Sequence, residues 1–272
     1  MIWFILALVL LAALFLFLVF PARASREARA PFEHRAYAHR GLYSPDQSVP
    51  ENSLTAFQLA VDNGYGAELD VQLTKDNRIV VLHDDDLKRA CGRDGRVCDF
   101  TFEELEAFPL FGTDERIPLF SDVLKVFDGK QPLIVELKSA APNTMDLCDA
   151  VRRMLADYHG PACVESFHPE VVRYFRRNDP SRLRGQLSQA ACFWKSSLPV
   201  WQGFIFSRLM LNFRARPHFI AYGIGPKPAP VRLCECLGAM KVCWTARDSA
   251  RHECLMAEND AVIFESYRPV IK

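Results

Sequence analysis

From Arg35 onward the chain alternates short apolar runs with longer amphipathic stretches, and this alternation is the signature of consecutive βαβ units. Eight runs carry strand character: Ala36–His39, Ala67–Leu73, Leu133–Leu137, Cys163–Phe167, Leu183–Leu187, Phe219–Tyr222, Lys241–Trp244 and Ala261–Phe264. Helices are expected over Ser53–Asn63, Thr144–Asp157, Pro169–Asn178, Pro228–Leu237 and Asp248–Glu258. In the first of these, Leu54, Phe57 and Val61 form one stripe, and Gly64 suits the stop. A ninth apolar run, Ile79–Leu82, lies only a few residues beyond its predecessor. Parallel neighbours need a crossover of about a dozen residues, so a link this short joins antiparallel strands. Lys75-Asp76-Asn77 supplies the turn chemistry. Ile79–Leu82 is therefore expected to be the return arm of a hairpin. With residues 84–131 it elaborates the loop after the second strand. Eight parallel strands remain, the number a closed (β/α)8 barrel requires.

Length agrees with one such barrel. The chain has 272 residues, and about 240 remain once an amino-terminal segment is set aside. Met1–Phe20 holds no charged residue, and twenty apolar residues make a helix about 30 Å long, enough to span a bilayer core. Pro21 ends the run, and Arg23, Arg26 and Arg29 follow. Ala22-Arg23-Ala24 also fits the cleavage site of a signal peptide. Against cleavage, no Lys or Arg precedes the run, and it exceeds a usual signal core. The expected organisation is a transmembrane anchor over 1–20, a polar linker over 21–34 and a barrel over 35–272. The positive-inside rule places the arginine flank, and with it the barrel, in the cytoplasm. Nine cysteines with no C-x-x-C pair read as buried, reduced thiols, which suits a reducing compartment. Lys+Arg and Asp+Glu are equal at 33 each, a balance that argues against nucleic acid as partner.

Active sites of such barrels sit at the carboxyl ends of the strands. His39, Arg40 and Gly41 close the first strand. Glu68 and Asp70 lie two apart on the second and share a face. Glu136 and Lys138 end the third with the same spacing, and His83 ends the hairpin. Three carboxylates cannot be buried together as anions without a cation. Hard oxygen donors with no thiolate suit Ca2+ or Mg2+. Arg40 offers a fork for phosphate oxygens, Lys138 a point charge, and two histidines a general acid and base. Taken singly, E-x-D on a strand or a lone His-Arg-Gly is as well explained by a salt-bridged surface. The ordered set at successive strand ends is what carries the reading.

That set resembles the glycerophosphodiester phosphodiesterase family. The matching runs are AHRG (38–41), PENS (50–53), ELDVQLTKD (68–76), VVLHDDDLKR (80–89), IPLFSDVL (117–124) and IVELKS (134–139), with weaker matches out to residue 269. The resemblance implies a TIM barrel that hydrolyses glycerophosphodiesters to an alcohol and glycerol 3-phosphate. It implies His39 and His83 as the acid/base pair, and Glu68, Asp70 and Glu136 as ligands of one divalent cation, Ca2+ or Mg2+. Arg40 and Lys138 hold the phosphate, with Glu51 and Asn52 as close neighbours. Phe167 and Trp244 flank the glycerol or alcohol group, or else pack the barrel mouth. The implied chemistry is attack of the glycerol 2-hydroxyl on phosphorus, giving a cyclic phosphate that water opens. The chain departs from the family in reading IFES at the last strand, where many members carry a threonine–aspartate pair, and in Ser53 and His218.

Residues 189–216 suit either helices or a lid. Their apolar residues, among them Phe193, Trp194, Trp201 and Phe204, support an alternative: a lysophospholipase D whose anchor brings the barrel mouth near membrane lysolipids. A third reading, of another class, is a non-catalytic membrane-attached barrel that binds phosphoesters. Turnover of glycerophosphocholine with and without metal separates these readings.

Overall fold

The computed structural model describes residues 1–194 and 198–270. Eight parallel strands run in the order β1 (Arg35–His39), β2 (Gly66–Leu73), β4 (Leu133–Leu137), β5 (Ala162–Ser166), β6 (Arg184–Ser188), β7 (Phe219–Gly223), β8 (Met240–Ala246) and β9 (Ala261–Phe264). Each pairs with the next, and β1 pairs with both β2 and β9, so the sheet closes. The chain is a (β/α)8 barrel with an amino-terminal apolar helix. β3 (Ile79–Val81) pairs antiparallel with β2 through Leu73–Ile79 and Val71–Val81, the expected hairpin. Residues 84–131 are more than loop. They carry a small core of their own around Leu87, Val97, Leu105 and Leu110. They also contain the helix Phe120–Phe127, which buries Phe120, Val123, Leu124 and Phe127. That helix packs on Leu54–Asp62 and serves as the crossover that lets β4 lie parallel to β2.

The helix Leu54–Asp62 starts where Ser53 accepts a hydrogen bond from the Ala56 N–H at 3.1 Å. A hydroxyl suffices for this cap. Its buried line is Ala56, Phe57 and Ala60, with Leu54 and Val61 only partly covered. The stripe thus lies slightly off the expected one, because the small Ala56 and Ala60 allow close approach to the sheet. Burying Phe57 fully contributes roughly 1.5–3 kcal/mol.

The amino-terminal helix, Ile2–Val19, has 18 residues, of which only Val19 is buried. Among the described residues it is the one helix long and apolar enough to cross a membrane. The segment after it does not behave as a free linker. Ala22 donates to Pro217 O at 2.9 Å, Arg23 to Leu237 O at 3.2 Å, and Phe32 is buried under the barrel. Pro217 and Leu237 immediately precede β7 and β8, so these contacts lie at the amino-terminal rim. The helix therefore leaves the barrel at the end opposite the mouth. The segment docks beneath β7 and β8, against the residues that lead into those strands.

All nine cysteines are free thiols; Cys148, Cys163, Cys234 and Cys243 are buried as expected, whereas Cys192, Cys236 and Cys254 are exposed, contrary to that expectation. Residues 189–216 form a 3-10 turn (Ala191–Trp194), a helix over Val200–Ser207 beside the mouth, and a short helix over Asn212–Ala215 at the lower rim. Phe193, Trp201 and Phe204 are exposed, so the first helix is not a core helix.

Candidate active site at the carboxyl ends of the strands

β2 presents Glu68 and Asp70 inward, and the β2–β4 register sets Asp70 opposite Glu136. One carboxylate oxygen from each of the three lies within 4.8 Å of the others. Oxygens that share one Ca2+ at about 2.3–2.6 Å can be at most about 5 Å apart, so the spacing fits a single ion. Burial, then the charges of Asp70, Glu136 and Glu165, raise Glu68 well above the usual carboxylate range. Burial likewise raises Glu136 against the opposing pull of Lys138. Asp70 goes the other way: burial would raise it, but Lys138, His83 and Arg40 hold it well below the usual range. Lys138 bridges two of the acids, its Nζ lying 2.8 Å from Asp70 and 3.0 Å from Glu136.

Sequence reasoning missed a fourth acid, Glu165 on β5. It is 1% exposed, and neither of its carboxylate oxygens has a hydrogen-bond partner among the described residues. Burial, then Glu136 and Asp70, push its carboxyl well up. Four buried acids thus face Lys138 and a shared Arg40. The surplus negative charge and the hard-oxygen donor set fit a divalent cation. The signal for Glu165 was present in the sequence: it lies two residues before Phe167 and so points into the barrel.

The His39-Arg40-Gly41 turn is built by backbone geometry. Arg40 adopts a left-handed φ of 55° and Gly41 one of 80°. A Cβ on Gly41 would stand 2.9 Å from Ala56, so only glycine fits. The turn aims the Arg40 N–H at Glu68 (3.3 Å) and sets the guanidinium against Glu51 at 2.7 Å and Asp70 at 3.5 Å. Asn52, also left-handed, donates from its side chain to Asp70 at 2.9 Å. Glu51 also takes Arg89 at 2.6 Å. Glu51 and Asn52 therefore align the charged residues of the site. Arg89 closes the VVLHDDDLKR run, but its pairing with Glu51 depends on the folding of the elaborated loop.

Each imidazole is backed by a carboxylate. His39 Nδ1 lies 2.5 Å from Glu265 Oε2, just past β9, and Arg247 pairs with the other oxygen of Glu265. Burial would raise Glu265, but the hydrogen bond and charge of His39, with Arg247, hold it well below the usual range. An ionised carboxylate only accepts, so His39 Nδ1 carries the proton and Nε2 keeps its lone pair. Nε2 is 3.8 Å from Glu68. Burial lowers the His39 pKa, which favours the neutral ring. His83 Nδ1 is 2.6 Å from Asp84, which the His83 and Arg89 hydrogen bonds hold far down. Glu265 was not singled out in the sequence, yet it stands where the last strand departs from the family pattern. Phe167 and Trp244 meet edge to face at 5.6 Å, and Trp194 adds to Phe167 at 5.4 Å, forming an aromatic wall at the mouth.

A (β/α)8 barrel with an acidic, cation-compatible cluster and two carboxylate-backed histidines at its mouth falls in the class of barrels that carry a polar site at the carboxyl ends of their strands. Within that class, the chain belongs to the glycerophosphoryl diester phosphodiesterase family, whose model matches residues 34–267. The glycerophosphodiester phosphodiesterase of Caldanaerobacter subterraneus is 44% identical over 162 residues, 56% of this chain and 65% of that protein. That of Bacillus altitudinis is 32% identical over 157 residues, 54% of this chain and 63% of that protein. These matches thus span somewhat under two thirds of the relatives' length. Among solved structures, an Oleispira antarctica phosphodiesterase in complex with the product sn-glycerol-3-phosphate superimposes with a TM-score of 0.70 at 24% identity, covering 87% of this chain and 94% of that one. At that identity the likeness shows the fold.

Proposed function

We propose that the chain hydrolyses glycerophosphodiesters to an alcohol and glycerol 3-phosphate, and that it needs one divalent cation, Ca2+ or Mg2+. The observation that carries this is the joint placement of the three-carboxylate cluster and the carboxylate-backed His39. The product named for the Oleispira protein is consistent with it. Glu68, Asp70 and Glu136 would hold the cation, which supplies charge neutralisation to the phosphoryl oxygens. His39 Nε2 takes the proton of the glycerol 2-hydroxyl as that oxygen bonds to phosphorus. His83 Nε2–H gives its proton to the departing alkoxide as the P–O bond breaks. The roles then reverse: His83 takes a proton from water as the water oxygen bonds to phosphorus, and His39 returns its proton to the 2-oxygen as the bond between that oxygen and phosphorus breaks. Lys138 and Arg40 orient the phosphate while remaining paired to the acids. Phe167 and Trp244 flank the alcohol group.

We further infer an uncleaved anchor over residues 1–20, a connecting segment over 21–34 and a cytoplasmic barrel over 35–272. Support comes from the apolar helix, from Arg23, Arg26 and Arg29 after it, and from the contacts of Phe20 and Ala22, which cleavage after Ala24 would remove. An anchor at the lower rim favours water-soluble diesters over lipids of the same bilayer. One observation favours a second reading, lysophospholipase D: the exposed Phe193, Trp201 and Phe204 beside the mouth. The complete acid and histidine set argues against a silent binding barrel. Turnover of glycerophosphocholine and of a lysophospholipid, each in chelator and in Ca2+ or Mg2+, tests these readings. Full activity in chelator refutes the cation, preference for the lysolipid selects the second reading, and turnover of neither substrate leaves the silent barrel. Protease cleavage of the barrel from outside intact cells refutes the topology.

A further inference from the structure

The lower rim carries a concentration of arginine that hydrolysis does not use. The helix Pro169–Asn178 descends from the mouth and ends with Arg176 and Arg177, with Arg173 one turn above. Beneath it, the short helix Asn212–Ala215 contributes Arg214, and Arg216 follows. Arg176 is held in place by donating to the carbonyls of Phe213 at 3.0 Å and Arg214 at 2.8 Å. Together Arg173, Arg176, Arg177, Phe213 and Arg214 line a groove of about 430 Å³.

This groove lies where the apolar helix emerges. The Phe213 ring packs on Phe17 at 5.5 Å. The Arg216 guanidinium covers Phe17 at 5.1 Å and Phe20 at 5.8 Å, and donates to Phe20 O at 2.6 Å. The charge is under-compensated. Glu170 pairs with Arg173 at 2.6 Å and Arg214 at 2.7 Å. Among the described residues, no acid lies within ion-pair distance of Arg176 or Arg177. Burial, and then Arg176, push Arg184 down to about 10 and lower Arg216 as well. The cluster is thus a local excess of positive charge in a chain whose Lys+Arg and Asp+Glu are equal at 33 each. Planar guanidinium forks match phosphate oxygens, and the groove adjoins the carboxyl end of the apolar helix.

We propose that the groove binds the phosphodiester headgroups of anionic phospholipids in the membrane that the amino-terminal helix crosses. The lower rim is thereby clamped to the surface and the mouth faces water. This rests on the anchor reading of residues 1–20 and is independent of the hydrolytic one. Near an anionic surface each arginine strengthens attraction by roughly fivefold.

The full chain is placed in nanodiscs of phosphatidylcholine alone or with phosphatidylglycerol, and amide exchange is followed over 170–178 and 208–217. Exchange should slow in the anionic discs, and high salt should abolish the difference. Arg176→Gln with Arg177→Gln should weaken the protection by at least about tenfold and leave glycerophosphocholine turnover unchanged. Equal exchange in both discs, with the chain still integrated, overturns the headgroup site alone. Release of the chain from the bilayer by alkaline carbonate overturns the anchor and the headgroup site together. Equal protection by inorganic phosphate in neutral discs overturns the lipid as source.

Discussion

Replacing Glu265 by glutamine should disable His39 without touching the cation site. Glu265 takes the His39 Nδ1 proton at 2.5 Å with one oxygen and Arg247 with the other. Glutamine has a single acceptor oxygen and cannot serve both. If it serves Arg247, its NH2 group faces Nδ1, and the ring must move its proton to Nε2, where the base needs a lone pair. A hydrogen bond to a charged partner contributes about 1.5–3 kcal/mol, equivalent to roughly 10- to 150-fold at about 1.4 kcal/mol per decade. A complete switch of tautomer sets an upper bound near 10⁴-fold, the scale seen when a carboxylate behind a catalytic histidine becomes an amide. We therefore expect kcat to fall by about two orders of magnitude. KM should change little, because Glu265 pairs with neither Arg40 nor Lys138, the groups proposed to hold the phosphate. Calorimetric Ca2+ affinity should stay within about twofold, since Glu265 is not among the clustered acids. A kcat within about threefold of wild type would refute the positioning role. An equal loss of Ca2+ affinity would show that Glu265 acts through the cation.

Glu68→Gln should weaken cation affinity by at least about tenfold while the thermal midpoint stays near wild type, because the residue sits at the mouth; calorimetry and circular dichroism measure the two. His39→Ala and His83→Ala should each lower turnover by about two to four orders of magnitude, and the double variant should be little worse than either. A variant that keeps near-normal turnover removes its histidine from the mechanism. His218 is buried with Nδ1 unpartnered among the described residues, and burial, then Arg184, push its pKa from 6.5 to about 4. Because the folded pKa is the lower one, its stabilisation is complete above pH 6.5 and is lost as pH falls toward 4. The loss is on the order of 3 kcal/mol, and His218→Gln should flatten the dependence of the urea midpoint over that range.

Much of the barrel was legible because its strands are buried on both sides and read as apolar runs. The short link before Ile79 excluded a ninth parallel strand. The helix Phe120–Phe127 was harder to recognise. It lies in an insert whose own small core, around Leu87 and Leu105, blurs the period of the main barrel. The acids on β2 and β4 were legible because two-residue spacing fixes a face. Glu265 and Arg89 were not, since their roles depend on closure and on loop folding, which act across distance in the sequence. The direction of the amino-terminal helix depends on Ala22 meeting Pro217, and local composition carries no trace of that contact.

The pairing of β1 with β9 has a kinetic consequence. His39 and Glu265 are separated by 226 positions, so their contact is among the most non-local in the chain. Contacts of such separation form late and slowly. During synthesis His39 stays without its Glu265 partner until nearly all of the chain has emerged and the sheet has shut. With His39 as the proposed base, nascent or truncated chains that lack β9 should therefore be hydrolytically quiet. On refolding, activity should return with the slowest structural phase and lag behind the recovery of helix.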